Sequence, residues 1–210
     1  MKDYSKALKG GAVYIKDGDY KQMQCIGFRD LANEMSVNES TSFPTASAGK
    51  VFVAVGILKL VEKNILSLET TLGELVDFPL HSIDQEVTVY QLLTHTSGVP
   101  DYFDETVMDD YSDLWKNFPN YNIRTSKDLL PLFVDKPMAY PKGERFAYND
   151  SGFVMLGLII EAVTEKPFDE YLSEVLFKPL DMSNTGYYEL DRLPSNCANA
   201  YIYDEKKETY

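Results

Sequence analysis

Ser47 and Lys50 are the first residues whose types and spacing could support chemistry, because they lie three positions apart in Ser47-Ala48-Gly49-Lys50. Side chains with this spacing share one face of a helix, so both can point into one cleft. A serine hydroxyl becomes a good nucleophile when a neighbouring base takes its proton. A lysine amine can be that base where burial disfavours its charged form and lowers its pKa. The pair therefore indicates covalent acyl chemistry on Ser47.

The Ser-x-x-Lys pattern alone is weak evidence. The chain has 14 serines and 16 lysines in 210 residues, so about one such pattern is expected by chance. The context is more informative, because the apolar run Val51–Val61 follows directly and only Gly56 and Lys59 interrupt it. A run of this length without proline predicts a helix that is buried nearly all round. Unpaired N–H groups and the positive end of the helix dipole would stabilise negative charge developing beside Ser47.

A second pair of polar residues, Tyr148 and Asp150, stands at the entrance of another apolar run, Ser151–Val163. A tyrosine beside a lysine ammonium favours its phenolate form and can relay protons. The Tyr-x-Asp spacing occurs twice elsewhere in the chain, so the position before a helix is what distinguishes this occurrence. We expect Ser47, Lys50 and Tyr148 to converge on one cleft between an α/β part and a helical lobe.

The residues before the first helix predict a two-stranded ribbon. Gly11–Lys16 has the composition of a strand, Asp17-Gly18-Asp19 is typical of a hairpin turn, and Tyr20–Phe28 alternates loosely as the returning strand. The polar segment Arg29–Ser42 is interpreted as a loop. A lone hairpin is barely stable, so the ribbon must belong to a larger sheet.

Most of the remaining chain is predicted to be helical or irregular. Spacing and capping signals predict four short helices. One spans Leu68–Leu75, and a second begins at the capping box formed by Thr88 and Gln91. The other two span Ser126–Phe133 and Pro167–Leu176. The acidic and aromatic stretch Asp101–Asn122 is interpreted as a long loop with short helical pieces that forms the rim of a cleft. Ala198–Tyr203 predicts a strand, followed by a turn at 204–207 and the first residues of a returning strand at 208–210.

These elements predict one incomplete domain over residues 1–210. Residues 1–63 hold the N-terminal hairpin and the central buried helix, residues 64–190 form a mainly helical lobe, and residues 191–210 begin the C-terminal strands. The N-terminal residues contain no apolar core of a signal peptide. That observation leaves an extracytoplasmic and a cytoplasmic location equally open.

Composition excludes several classes of function. A net charge of −13 and a pI near 4.5 argue against nucleic-acid binding, which needs a basic face. With His81 and His95 as the only histidines, a metal site is not expected, and nothing in the sequence indicates a cofactor. Cys25 and Cys197 are interpreted as buried small apolar residues, because a disulfide framework needs more cysteines. The run Val51–Val61 is too short to span a bilayer.

Four segments, in this order, resemble the serine β-lactamase and penicillin-binding-protein superfamily. They are Ser47–Lys50, Gln91–Pro100, Tyr148–Asp150 and Pro179–Gly186, and Gln91–Pro100 is the most specific. The resemblance covers nearly the whole chain and is closest to class C β-lactamases, D-alanyl-D-alanine carboxypeptidases and family VIII esterases. It implies an α/β fold of the β-lactamase/transpeptidase type, in which an antiparallel sheet is flanked by helices and joined to a helical lobe.

The resemblance also implies roles for individual residues. Ser47 would be the acylated nucleophile, Lys50 the amine that activates it, and Tyr148 the proton shuttle to the leaving group. The backbone N–H of Ser47 would supply half of the oxyanion hole. We favour Lys50 and Tyr148 acting as one coupled unit, and interpret His95 as a turn-stabilising residue rather than a catalyst.

Two functions are consistent with this resemblance. One is a serine hydrolase that acts on D-Ala-ended peptides, β-lactams or small esters through an acyl-enzyme. The other is a non-catalytic fragment or degenerate relative that binds a peptide or a partner without turnover.

The chain departs from the family pattern at two places. The Tyr-x-Asn tripeptide of the family ends here in Asp150, and an ionised aspartate only accepts hydrogen bonds. Asp150 could contact substrate, or it could pair with Lys50 and raise the pKa of that lysine. The family's third motif, a Lys or His followed by Thr or Ser and then Gly on a late strand, is absent. We therefore expect missing C-terminal strands, poor activity of the chain alone, and an exposed sheet edge that could join a second copy or another polypeptide.

Overall fold

A computed structural model of the chain describes residues 9–108 and 110–201. Contacts divide the chain into two compact units. The described residues of the first are 9–46 and 187–201, and this part is called the sheet unit. The second unit covers residues 47–186 and is called the helical unit.

The sheet unit contains three antiparallel strands in the order β1-β2-β3. They are β1 (Gly10–Asp17), β2 (Tyr20–Asp30) and β3 (Met35–Ser36). The β1–β2 register runs from Gly10 opposite Gly27 to Asp17 opposite Tyr20. Gly18 has φ +55°, a conformation that glycine adopts at little cost and that closes a tight hairpin. The predicted hairpin is confirmed.

The predicted loop Arg29–Ser42 is partly ordered as strand. β2 continues to Asp30, and β3 pairs with it in antiparallel register. The side chain of Asp30 accepts hydrogen bonds from the backbone and side chain of Asn33, at 3.0 and 2.7 Å. Glu34 has φ +51°. The side-chain turn therefore returns the backbone to the sheet, which the polar composition of the segment did not reveal.

Residues 198–201 lie against other segments of the sheet unit without forming a regular strand. The amides of Ala198 and Asn199 donate to the carbonyl oxygens of Ser42 and Arg29, each at 2.8 Å. These acceptors lie on two separate segments, so no continuous ladder forms over the described part of the predicted strand. Residues 202–210, with the predicted turn and returning strand, lie outside the described residues. Both cysteines are free thiols and are half-buried rather than fully buried.

Both faces of the hairpin expose large apolar side chains. Tyr14 and Ile15 are adjacent on β1 and are 57% and 40% exposed. Adjacent residues of a strand face opposite sides of the sheet. Tyr20 and Met23 on β2 are also exposed. Association of the sheet with a second copy stays a prediction.

Over its described residues, 47–108 and 110–186, the helical unit holds five α-helices joined by turns and irregular segments. They are α1 (Lys50–Glu62), α2 (Leu72–Leu75), α3 (Val89–Leu93), α4 (Ser151–Thr164) and α5 (Phe168–Leu172). Short 3₁₀ segments span Ala46–Gly49, Tyr111–Trp115, Asn120–Asn122 and Ser126–Leu132, and a π-helical turn spans Ser173–Phe177.

The core of this unit is built around α4. This helix packs against α1, α2, α3 and α5, and its side chains from Met155 to Ile160 are almost fully buried. Burial of each such side chain stabilises the fold by about 1.5–3 kcal/mol. The helix predicted from the run Ser151–Val163 is therefore present. Within the described part of the chain, no helix combines the length and the apolar character that crossing a membrane requires.

Helix α1 is less buried than its sequence predicts. Val53, Ile57 and Leu60 are buried, and the helix packs against α4 and α5. On other faces Val51 and Leu58 are 62% and 48% exposed. The prediction of burial nearly all round is wrong for α1, because a uniformly apolar run does not show which of its faces meet a neighbour.

Gly98 gives a test of the packing between the segment after α3 and the loop before α4. Its φ is +72°, and an added Cβ would lie 2.1 Å from the carbonyl oxygen of Tyr140. We expect Gly98→Ala to lower the free energy of unfolding by about 1–3 kcal/mol through backbone strain alone, and further through the backbone clash. Urea unfolding followed by circular dichroism measures this.

Gly157→Ala is the matched control in the same unit, since a Cβ at Gly157 meets no atom closer than 3.5 Å and alanine favours a helix. Equal stability of the two variants would show that the approach of Gly98 to Tyr140 is not maintained in solution.

Candidate active site

Ser47 lies in the 3₁₀ turn Ala46–Gly49, directly before α1. The preceding residue, Ala46, has φ +46°, which is uncommon for a residue with a side chain and costs on the order of 1–3 kcal/mol. The Ser47 side chain is exposed, whereas Gly49 behind it is buried. The local backbone therefore presents the Ser47 hydroxyl to solvent at the start of a helix.

Lys50 is the residue that joins the predicted site residues. Its Nζ donates to Ser47 Oγ at 3.1 Å and forms an ion pair with Asp150 Oδ1. The same Nζ lies 4.9 Å from the centroid of the Tyr148 ring and 5.8 Å from that of Phe153. The Lys50 and Asp150 side chains are only 18% and 19% exposed. The ammonium is thus held at the centre of a partly buried cluster.

The charge state of Lys50 follows from two opposing effects. Burial by itself would lower the pKa of Lys50, but the ion pair with Asp150 and a hydrogen bond with Tyr148 outweigh it, so the pKa is raised. At neutral pH the amine is therefore protonated and donates to Ser47 rather than accepting its proton. The Lys50–Asp150 pairing that the sequence left open is present in the structure.

Asn149 holds the start of α4 in place. Its Oδ1 accepts a hydrogen bond from the backbone N–H of Gly152 at 2.6 Å, and its Nδ2 donates to the carbonyl oxygen of Val99 at 2.8 Å. The side chain is 7% exposed. An asparagine before an apolar helical run is a recognised capping signal, so this structural role could have been read from the sequence.

Asp101 anchors the same helix start from a distant part of the chain. Its carboxylate accepts from the backbone N–H groups of Asp150 and Ser151, at 2.8 and 3.2 Å, and from Ser151 Oγ at 3.2 Å. Burial raises the pKa of Asp101 and the nearby Asp150 charge adds to this, while the donated hydrogen bonds oppose it. Sequence reasoning missed Asp101, because about fifty residues separate it from its partners and it carries no local signal.

The arrangement is suited to acyl transfer. The exposed Ser47 hydroxyl and the Lys50 nitrogen, 3.1 Å apart, have the spacing of a nucleophile and its base in covalent catalysis once the amine is neutral. All four predicted site residues, Ser47, Lys50, Tyr148 and Asp150, belong to the helical unit. Among residues 9–108 and 110–201, no three His, Cys, Asp or Glu side chains are arranged to hold a metal ion.

Comparison with known proteins gives a consistent set of relatives. The model of the Beta-lactamase family matches residues 2–208. The chain is 28% identical over 209 residues to penicillin-binding protein 4* of Bacillus subtilis (strain 168). Among solved structures it is similar to a penicillin binding protein from Bacillus halodurans, with 42% identity and a TM-score of 0.87. It is also similar to an octameric penicillin-binding protein homologue from Pyrococcus abyssi, with 29% identity and a TM-score of 0.71.

The alignments cover most of this chain but only part of each relative. They include 97% of this chain and 44% of the Bacillus subtilis protein. For the structures they include 93% of this chain and 59% of the Bacillus halodurans chain, and 95% and 45% for the Pyrococcus abyssi protein. The chain therefore spans about half the length of the relatives it matches.

Proposed function

Because the chain belongs to the Beta-lactamase family, we propose that it is a serine hydrolase that forms an acyl-enzyme on Ser47. The proposed substrates are D-Ala-ended peptides, β-lactams or small esters. The observation that carries this proposal is the 3.1 Å hydrogen bond between Lys50 Nζ and Ser47 Oγ at the exposed start of α1. The fold of the β-lactamase/transpeptidase type supports it.

In the proposed reaction, Ser47 Oγ attacks the carbonyl carbon of the substrate while its proton passes to the neutral amine of Lys50. The bond from that carbon to the leaving nitrogen or oxygen then breaks, and Tyr148 delivers the proton from Lys50 to the leaving group. Water subsequently attacks the Ser47 ester, which releases the acid and restores the hydroxyl. The backbone N–H of Ser47 is proposed as one donor to the oxyanion, a contribution of about 10²–10³ in rate where a single donor has been tested.

A non-catalytic binding function is the second candidate, and the Lys50–Asp150 ion pair favours it. A protonated lysine cannot take the serine proton, and Asp150 offers no donor to a substrate carbonyl. In this alternative the chain binds a peptide in the same place without covalent chemistry.

Covalent labelling separates the two functions. The chain is incubated at pH 7 and pH 10 with a fluorophosphonate and, separately, with benzylpenicillin, and adducts are located by tandem mass spectrometry. Serine hydrolase function predicts an adduct on Ser47 that forms faster at pH 10, where more Lys50 is neutral, and that is absent from Ser47→Ala. Ser82→Ala, at an exposed serine of the same unit outside the stretch that begins at Asp101, should label like the unchanged protein. No adduct at millimolar probe, together with calorimetric binding of a D-Ala-D-Ala peptide, would establish the non-catalytic function instead.

A further inference from the structure

His95 contacts three consecutive residues before α4. Its backbone carbonyl oxygen accepts from the N–H of Ala147 at 2.9 Å. Its imidazole ring lies against the Tyr148 ring, with centroids 4.7 Å apart and planes inclined by 31°. Its Nδ1 accepts from the N–H of Asn149 at 3.0 Å. The residues before, at and after the proposed proton shuttle are thus held by one histidine.

The backbone of His95 is itself held by contacts with α3, and this fixes the position from which its ring and carbonyl make these contacts. Its N–H donates to the carbonyl oxygen of Leu92 in α3 at 3.3 Å, and it adopts φ +56°. The ring also meets the rings of Phe146 and Phe153, with centroid distances of 5.8 and 5.2 Å. These contacts with aromatic rings restrict the orientation of the imidazole and place its Nδ1 against the Asn149 N–H.

The hydrogen bond from Asn149 determines the form of the imidazole. A ring nitrogen that accepts an N–H bond carries no proton, so the ring is neutral with its proton on Nε2. Burial lowers the pKa of His95, and the positive charge of Lys50 on α1 lowers it further, while the Asp150 carboxylate at the start of α4 opposes them. Tyr148 is the titratable group stacked on the ring. The neutral form is thus the one that the surroundings favour.

We propose that neutral His95 is a positioning residue for acyl transfer on Ser47, and that it holds Tyr148 beside Lys50 through its bond to Asn149. The proposal rests on the proposed function of Ser47. Protonation of Nδ1 replaces an acceptor with a donor facing the Asn149 N–H, and it adds a positive charge close to Lys50. Both effects release the Tyr148 segment at acid pH.

The proposal predicts a specific pH dependence of acylation. In the unchanged protein, a fluorophosphonate phosphonylates Ser47 with loss of fluoride, and the logarithm of this rate should rise with pH with a slope of about one while neutral Lys50 limits the rate. Below the His95 pKa the slope should steepen to about two, because two protons must then be lost.

Two variants separate the contributions of His95. His95→Asn keeps an acceptor in the δ position and tolerates positive φ, so it should retain much of the rate and show a slope of one throughout. His95→Phe keeps a stacking ring but loses the acceptor, and should acylate about tenfold to a hundredfold more slowly with unchanged probe affinity. A residue that only stabilised the turn would alter thermal stability without altering the slope. A slope of two retained in His95→Asn would overturn the proposal.

A second measurement needs no acylation, and it distinguishes failure of this proposal from failure of the proposed function. Nitrogen-15 NMR of the imidazole groups reports the tautomer and pKa, and the chain has only two histidines, so His81→Gln assigns the signals. We expect an Nε2–H tautomer, a pKa below 6.5 for His95, and a shift of the Tyr148 ring signals with the same midpoint. An Nδ1–H tautomer, or Tyr148 signals that ignore His95 titration, would overturn the proposal whether or not Ser47 reacts.

Discussion

Replacement of Lys50 by methionine is expected to slow acylation of Ser47 by about 10²–10⁴-fold, the contribution typical of a general base. Lys50 Nζ lies 3.1 Å from Ser47 Oγ, and methionine keeps a long unbranched side chain while removing the amine. The measurement is the second-order rate of fluorophosphonate labelling at pH 9, followed by intact mass. Thermal unfolding of the variant is recorded in parallel.

The control for this prediction lies on the same helix. Lys59 pairs with Glu62 at 2.9 Å on an exposed face, so Lys59→Met should label within about twofold of the unchanged protein, since exposed pairs contribute little. Lys50→Met also leaves the Asp150 charge unpaired, which can reduce stability. The double variant Lys50→Met with Asp150→Asn removes that charge and should recover stability while labelling stays slow. Labelling of Lys50→Met at the unchanged rate would show that Lys50 is not the base.

The spacing of Ser47 and Lys50 illustrates what the sequence predicts well. Contacts within one or two turns follow from helix geometry, and the bond between these two side chains is of that kind, although Ser47 belongs to the 3₁₀ turn rather than to α1. The hairpin was equally predictable, because a glycine turn between two strand-like segments fixes its register locally. The apolar run of α4 was long enough to show a buried helix.

Contacts between distant segments were not predictable in the same way. Asp101 and His95 reach the start of α4 across about fifty residues, and neither residue type nor spacing indicates such a pairing. The exposure of Leu58 has the same origin, since tertiary packing decides which face of an apolar helix is covered. The Lys50–Asp150 ion pair lies between these cases: the sequence raised it as one of two alternatives, and the three-dimensional arrangement was needed to choose.

Replacement of Asp150 by asparagine is expected to move the pH dependence of acylation to lower pH. The carboxylate is an acceptor for Lys50 Nζ and holds the pKa of that lysine up against the effect of burial. Without the Asp150 charge, the effect of burial is less opposed, so the pKa of Lys50 falls. Because a lower pKa leaves more of the Lys50 amine neutral at pH 7, the rate of acylation near neutral pH rises. A base of lower pKa is also weaker. The acylation rate should therefore rise about tenfold, which is less than the increase in the fraction of neutral Lys50.

The same replacement should change selectivity between substrates. Asparagine can donate a hydrogen bond to an amide or β-lactam carbonyl, whereas an ionised aspartate only accepts. The increase should therefore be larger for β-lactam or D-Ala-ended peptide turnover than for a p-nitrophenyl ester. An equal increase for all three substrates would mean that Asp150 acts through the Lys50 charge alone and does not contact substrate.

A second ion pair of the helical unit provides the control for Asp150→Asn. Asp84 accepts from Lys142 Nζ at 2.8 Å with 38% and 32% of the two side chains exposed, and the pair is remote in sequence from Ser47. Asp84→Asn removes one carboxylate from the same unit, so it reproduces the change in net charge and should leave the pH–rate profile in place. A shift of the pH–rate profile in Asp150→Asn but not in Asp84→Asn would show that the profile reports the protonation of the Lys50 amine. The opposite result is an unchanged midpoint of the pH–rate profile in both variants while Ser47 is still acylated. That result would mean that the Lys50–Asp150 pair does not control the rate-determining protonation state. A base other than Lys50 would then receive the serine proton.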